Sequence, residues 1–137
     1  MRLWHHALIP YLPDSQLLAQ WREIACIRKT KPNHILINYV YEYHEEDMDI
    51  YSDMVLHELK FRGFKPTYGE ELLGIPDRKP FPNHHTDRYL LQCFFNLQEK
   101  YERGQRDFTE DRYRSLQGFA IGIRKSDVGK LKDVIYL

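Results

Sequence analysis

Asp14-Ser15-Gln16-Leu17-Leu18-Ala19-Gln20-Trp21-Arg22-Glu23-Ile24-Ala25 is the stretch on which the fold turns. Leu17, Leu18, Trp21, Ile24 and Ala25 recur at three- and four-residue spacing, the period of a helix with one apolar stripe. Asp14 and Ser15 are residue types that cap helix N-termini. Gln16, Gln20 and Glu23 stand at i, i+4 and i+7 and form a polar ridge beside the stripe. Two further segments repeat the pattern. From about Glu45 to Arg62, Met48, Tyr51, Met54, Val55 and Leu59 share one side, acids fill the first turns, and Gly63 supplies the stop. A third helix opens at Thr86-Asp87, carries Leu90, Leu91, Phe94, Leu97 and Tyr101, and ends at Gly104. A shorter helix is expected from Thr109 to Leu116, closed by Gly118.

Between the first two helices, Asn33-His34-Ile35-Leu36-Ile37-Asn38-Tyr39-Val40-Tyr41-Glu42-Tyr43 reads as a strand by propensity, with no convincing partner. Pro66, Gly69, Gly74, Pro76, Pro80 and Pro82 make residues 64–85 an irregular connection. The expected architecture is all-α, a single compact domain over residues 1–137 with three principal helices and irregular connections.

A length of 137 residues fits one domain, and 42% hydrophobic residues suffice for a core. No apolar run exceeds four residues, so no membrane span is expected. Pro10 and Pro13 interrupt the first apolar stretch, so no signal peptide is expected either. Two cysteines build no disulfide framework, which suits a reducing cytoplasm. Twenty basic side chains balance twenty acidic ones, which excludes a polycation. The zero is a sum of unequal parts: residues 1–40 carry net +3, residues 41–60 net −6, and the tail from 121 net +2. Such polarisation can build a one-sided field on a neutral chain, and a set of solvated helix faces has the same letters.

The sequence has no phosphate-binding glycine loop, no HExxH, no CxxC and no GxSxG. Cys26 and Cys93 sit among apolar neighbours, as buried thiols do. His5-His6 and His84-His85, with Asp87 nearby, hold imidazoles and a carboxylate that suit a metal, at no known metal spacing. Capping and hydrogen bonding account for them more simply, and no cofactor is expected. Glu23 is flanked by Arg22 and followed by Arg28, Lys29 and Lys31. A carboxylate set among cations fits acid–base work at a phosphate backbone, and an ordinary solvent-facing glutamate has the same surroundings.

The run from Asp14 to Glu23 resembles the first helix of the pyrimidine-dimer DNA glycosylase family, typified by phage endonuclease V. The opening Met1-Arg2-Leu3-Trp4-His5 and Leu8-Ile9-Pro10-Tyr11-Leu12-Pro13 is similar to a bacterial branch of that family. The second helix leading into Arg62-Gly63-Phe64, and the third after Pro82-Asn83-His84-His85, resemble further family segments. The likeness is dense over residues 1–25 and loose in the tail, and the segment joining the first two helices is shorter than in the phage enzyme.

That resemblance implies an all-helical domain, without metal or cofactor, that binds and kinks damaged double-stranded DNA and extrudes a base. It implies an N-terminal α-amine that attacks the sugar C1′ and a first-helix glutamate, matched by Glu23, that supports glycosyl cleavage and β-elimination. Arg2 is too large for the initiator to be removed, so the expected amine is that of Met1. An α-amine titrates near pH ~8 and is partly unprotonated at neutral pH. The expected DNA-contacting set is Arg2, Arg22, Arg28, Lys29, Lys31, His84 and His85. Leu3 and Cys26 stand where the family carries basic residues, with Arg28 or Lys29 placed to substitute. The missing basic balance lowers the expected affinity and the slope of its salt dependence. No obligate protein partner is expected. Two other readings use the same residues: a non-catalytic nucleic-acid binder, and a helical scaffold turned to a small molecule or a metal through its histidines.

Overall fold

The computed structural model describes residues 1–66 and 74–136, with side chains described as far as residue 125. Four helices carry the chain: α1 (Asp14–Thr30), α2 (Glu45–Phe61), α3 (Asp87–Glu102) and α4 (Glu110–Tyr136). Two short 3-10 helices, His6–Tyr11 and Asn38–Glu42, complete the order, and no strand occurs among the described residues. The all-helical class holds, and no described helix is long and apolar enough to cross a membrane.

α1 packs on α2 and α3 on α4, while the first 3-10 helix wedges among α2, α3 and α4. The N-terminal segment is therefore part of the core. Leu3, Leu8 and Leu12 are completely buried beside Leu17 of α1, Tyr51 and Leu59 of α2, Leu97 of α3 and Leu116 of α4. Burying a side chain of this size contributes about 1.5–3 kcal/mol, so the chain start is held by apolar packing before any polar contact is counted.

The expected helix boundaries hold with local adjustments. Thr86 caps α3 by accepting the Tyr89 N–H at 3.2 Å. Gly63 (φ 88°) and Gly104 (φ 84°) supply the left-handed turns that end α2 and α3. α1 begins two residues earlier than a Ser15 cap requires and one earlier than an Asp14 cap, with Pro13 at the cap position. The orphan Ser15 N–H is taken instead by Asp107 Oδ2 at 2.6 Å, from the connection before α4.

Two expectations are corrected. Gly118 does not close a short fourth helix: it keeps helical backbone, and α4 runs on to Tyr136, a fourth long helix beside the three principal ones. The stretch 33–43 is no strand but a turn followed by a 3-10 helix. Asn38 Oδ1 accepts the His34 N–H at 2.8 Å and its Nδ2 donates to Asn33 Oδ1 at 2.8 Å. These side-chain bonds give the backbone a local alternative that outweighs β propensity.

Much of the acidic run is spent inside the fold. Asp47 is buried and accepts from Arg78 at 2.8 and 3.2 Å and from the Phe81 N–H at 2.8 Å. Burial opposes its ionisation, but Arg78 and the Phe81 amide hold its carboxyl below the usual range. Asp47 thus pins the connection after residue 74 onto the start of α2; residues 67–73 of the expected irregular connection lie outside the described residues.

Candidate active site

Residues 2–4 are gripped by one side chain from each of three helices. From α1, Gln20 accepts the Trp4 N–H at Oε1 (2.8 Å) and donates from Nε2 to the Arg2 carbonyl (3.0 Å). From α2, the Tyr51 hydroxyl lies 2.7 Å from the Trp4 carbonyl and 2.8 Å from Gln20 Oε1. It can give its one hydrogen to either. From α3, the Tyr89 hydroxyl donates to the Leu3 carbonyl. The Trp4 N–H can only donate, so it fixes the orientation of the Gln20 amide and turns Nε2 toward Arg2 and Glu23.

The second hydrogen of Gln20 Nε2 reaches Glu23 Oε2 at 3.0 Å. One buried amide thus ties the chain start to the glutamate three residues along α1. Both groups open onto a cavity of about 250 Å³ lined by Met1, Arg2, Trp4, Gln20, Glu23, Leu36, Asn96 and Lys100, among others. The Arg2 guanidinium packs over the Trp4 and Tyr89 rings at 5.9 and 6.0 Å, a cation–π arrangement that adds to the grip.

Gln20→Leu removes both donors and the acceptor and leaves the Trp4 N–H and the Arg2 carbonyl without their Gln20 partner. An unsatisfied buried polar group costs about 1–3 kcal/mol. Chemical denaturation is expected to show the variant destabilised by about 2–4 kcal/mol, well beyond an exposed Gln→Leu change.

The remaining expected site residues scatter. Arg22 is exposed and lines a separate groove with Trp21 and Phe64. Arg28 is paired with Asp49 of α2 at 2.8 Å, which spends its charge internally. Lys29 and Lys31 are exposed at the end of α1. His84 is partly exposed, accepts from or donates to the Tyr43 hydroxyl at 2.7 Å, and lies 3.5 Å from Glu42. The side chains of Lys130 and Lys132, in the basic tail, lie outside the described residues.

His85 is a correction: expected at the DNA face, it is buried with His5 and His6. The His6 N–H donates to its Nδ1 (3.2 Å), so Nε2 carries the proton and donates to the Tyr39 hydroxyl at 2.7 Å. His5 donates from Nε2 to the His85 carbonyl at 2.9 Å and accepts the Ala7 N–H at Nδ1, 3.1 Å away. The three rings offer ligand atoms within 4.8 Å of one another. A zinc ion needs free imidazole lone pairs, and those of His5 and His85 already face backbone N–H groups. Coordination would have to displace both donors, so the cluster fits a hydrogen-bonded clasp between the chain start and the α3 entrance better than a metal centre. Burial, then mutual repulsion, lowers His85 to about 2; burial lowers His5 and His6 to about 4.

Asn96 and Lys100 were not among the expected site residues. Their i, i+4 spacing on the polar side of α3 is the one signal of them in the sequence, and it does not say what they face.

A family model described as pyrimidine dimer DNA glycosylase matches residues 1–71, which span the clasped N-terminus, α1 and α2. No curated protein and no solved structure matches the chain.

Proposed function

Because the chain belongs to the pyrimidine dimer DNA glycosylase family, we propose that it excises a damaged base from duplex DNA and cleaves the abasic site, with the Met1 α-amine as nucleophile and Glu23 as acid and base. The observation that carries this reading is that Met1 and Glu23 line one cavity while Gln20 bonds both the Arg2 carbonyl and Glu23. A nucleophile and its proton carrier must be held in register, and small misplacements cost orders of magnitude.

The amine lone pair attacks C1′, and the bond from C1′ to the base breaks as the base leaves with the electron pair and gains a proton. The C1′ bond to the ring oxygen then breaks, that oxygen gains the remaining amine proton, and an imine is left between Met1 and C1′. Glu23 then takes a proton from C2′, and the electrons expel the 3′ phosphate in a β-elimination. Water releases the amine. Glu23 Oε2 is engaged by Gln20, so Oε1 is the oxygen free to move protons. Among the described residues, Arg2 and Lys100 are the cationic side chains of the cavity wall and attract the phosphates that flank the reacting sugar.

Borohydride reduces an imine to a stable amine and so reports this intermediate directly. Purified protein mixed at low salt with duplex DNA bearing an abasic site is expected to give a covalent adduct, and prior acylation of the α-amine to abolish it. No adduct from the unmodified protein, with DNA in excess and salt kept low, would sink the proposal.

A further inference from the structure

The turn joining α1 to the second 3-10 helix exposes two neighbouring apolar side chains, Ile35 and Leu36, of which Leu36 lines the same cavity. Ile35 is 88% exposed and Leu36 is 39% exposed, yet the next residue, Ile37, is wholly buried in the core. The turn is rigidly built. The Ile37 and Asn38 N–H groups both donate to the His34 carbonyl at 2.9 Å, and the Leu36 N–H donates to His34 Nδ1 at 3.1 Å. Asn38 ties the base of the turn through the His34 N–H and Asn33, and the Tyr41 hydroxyl donates to the Pro32 carbonyl at 2.7 Å. A scaffold of six hydrogen bonds thus holds an isoleucine out in solvent.

Three observations give this turn a partner. Leu36 lines the cavity that holds Met1 and Glu23, so the turn borders the space that a reacting nucleotide would occupy. Residues 24–41 contain no aspartate or glutamate, and Lys29 and Lys31 are exposed just before the turn. Finally, a short rigid apolar tip beside cations is the form of side chain that enters a base step while phosphates are held on either side.

We infer that Ile35 and Leu36 form a wedge that enters the base stack of damaged duplex DNA and holds it open while the reacting nucleotide faces Met1 and Glu23. The inference rests on the glycosylase reading. It adds a task that chemistry alone does not require: unstacking is needed in a duplex and absent in a single strand.

That difference supplies the test. Borohydride trapping rates are measured for the full chain and for Ile35→Ser on one abasic oligonucleotide, single-stranded and annealed to its complement. The complement carries 2-aminopurine opposite the abasic site, whose fluorescence rises on unstacking. The wedge predicts that Ile35→Ser lowers the duplex-to-single-strand rate ratio at least tenfold and removes most of the fluorescence rise. An unchanged ratio in a variant that melts at the wild-type temperature overturns the wedge and leaves the glycosylase reading intact. A wild-type chain that traps neither substrate removes both.

Discussion

The Glu23→Gln variant is expected to cleave strands at an abasic site about 10²–10⁴-fold more slowly in single turnover, the usual contribution of a placed acid–base group. The change is nearly isosteric. The carbonyl oxygen of the new amide can still accept from Gln20 Nε2, as Glu23 Oε2 does at 3.0 Å, so the clasp on residues 2–4 persists. What disappears is a carboxylate oxygen able to take the C2′ proton. Affinity for an abasic duplex, set chiefly by phosphate contacts, is expected to stay within about threefold. Quenched-flow strand cleavage beside an equilibrium binding titration separates the two effects. A cleavage rate within threefold of wild type would show that Glu23 does not take the C2′ proton. A parallel loss of rate and affinity would assign it to binding.

The second large effect is a loss of stability in mild acid. His5, His6 and His85 ordinarily titrate at 6.5, and burial holds them neutral in the fold to about 4, 4 and 2. The unfolded chain therefore binds more protons than the folded chain as soon as the pH falls below about 6.5. Stability contributed by the neutral clasp is complete above that pH and is lost as the pH falls toward 4. Protonating His5 or His85 also breaks its acceptor bond to a backbone N–H, that of Ala7 or His6. The denaturation midpoint is expected to be nearly flat between pH 7 and 8. Below pH 6.5 it should fall with a slope of more than one proton. A midpoint that holds steady from pH 7 to pH 4.5 would contradict the buried neutral clasp.

The helices were legible because their information is local. Leu17, Trp21 and Ile24 mark the buried face of α1, and Thr86, Gly63 and Gly104 mark boundaries through caps and left-handed backbone. The strand reading of 33–43 failed for an equally local reason. Ile35, Ile37 and Val40 favour a pleated surface, but Asn33 and Asn38 lock the backbone into a turn through their own amides. Gly118 misled because a glycine inside a helix and a glycine ending one look the same until φ is known.

The site divides along the same line. The Gln16, Gln20 and Glu23 ridge is visible in a dozen residues of sequence, but the task of Gln20 is not. Its partners Arg2 and Tyr51 lie 18 and 31 positions away. The convergence of His5 and His6 on His85 spans 80 and 79 positions. Only the packing of the chain start among α2, α3 and α4 brings those rings together. The same packing explains why His85 was expected at the DNA face: next to a partly exposed His84 it reads as surface, and it is buried against His5 and His6, which stand far from it in the chain.

The zero net charge also reads differently once the ion pairs are known. Asp47 and Glu46 are taken by Arg78, and Asp49 by Arg28. The cavity wall, by contrast, carries Arg2 and Lys100 against the single acid Glu23 among the described residues.

Among those residues, two that line the cavity carry an amine, Met1 at its α-nitrogen and Lys100 at its ε-nitrogen. Which of them becomes bonded to the sugar is therefore the most direct question. After borohydride trapping on an abasic duplex, the adduct is digested on the N-terminal side of aspartate and its peptides are weighed. The reduced sugar fragment is expected on the peptide of residues 1–13, which ends before Asp14, with fragmentation placing it on the Met1 nitrogen. A sugar fragment on the peptide that carries Lys100 would contradict the assignment of Met1 as the nucleophile.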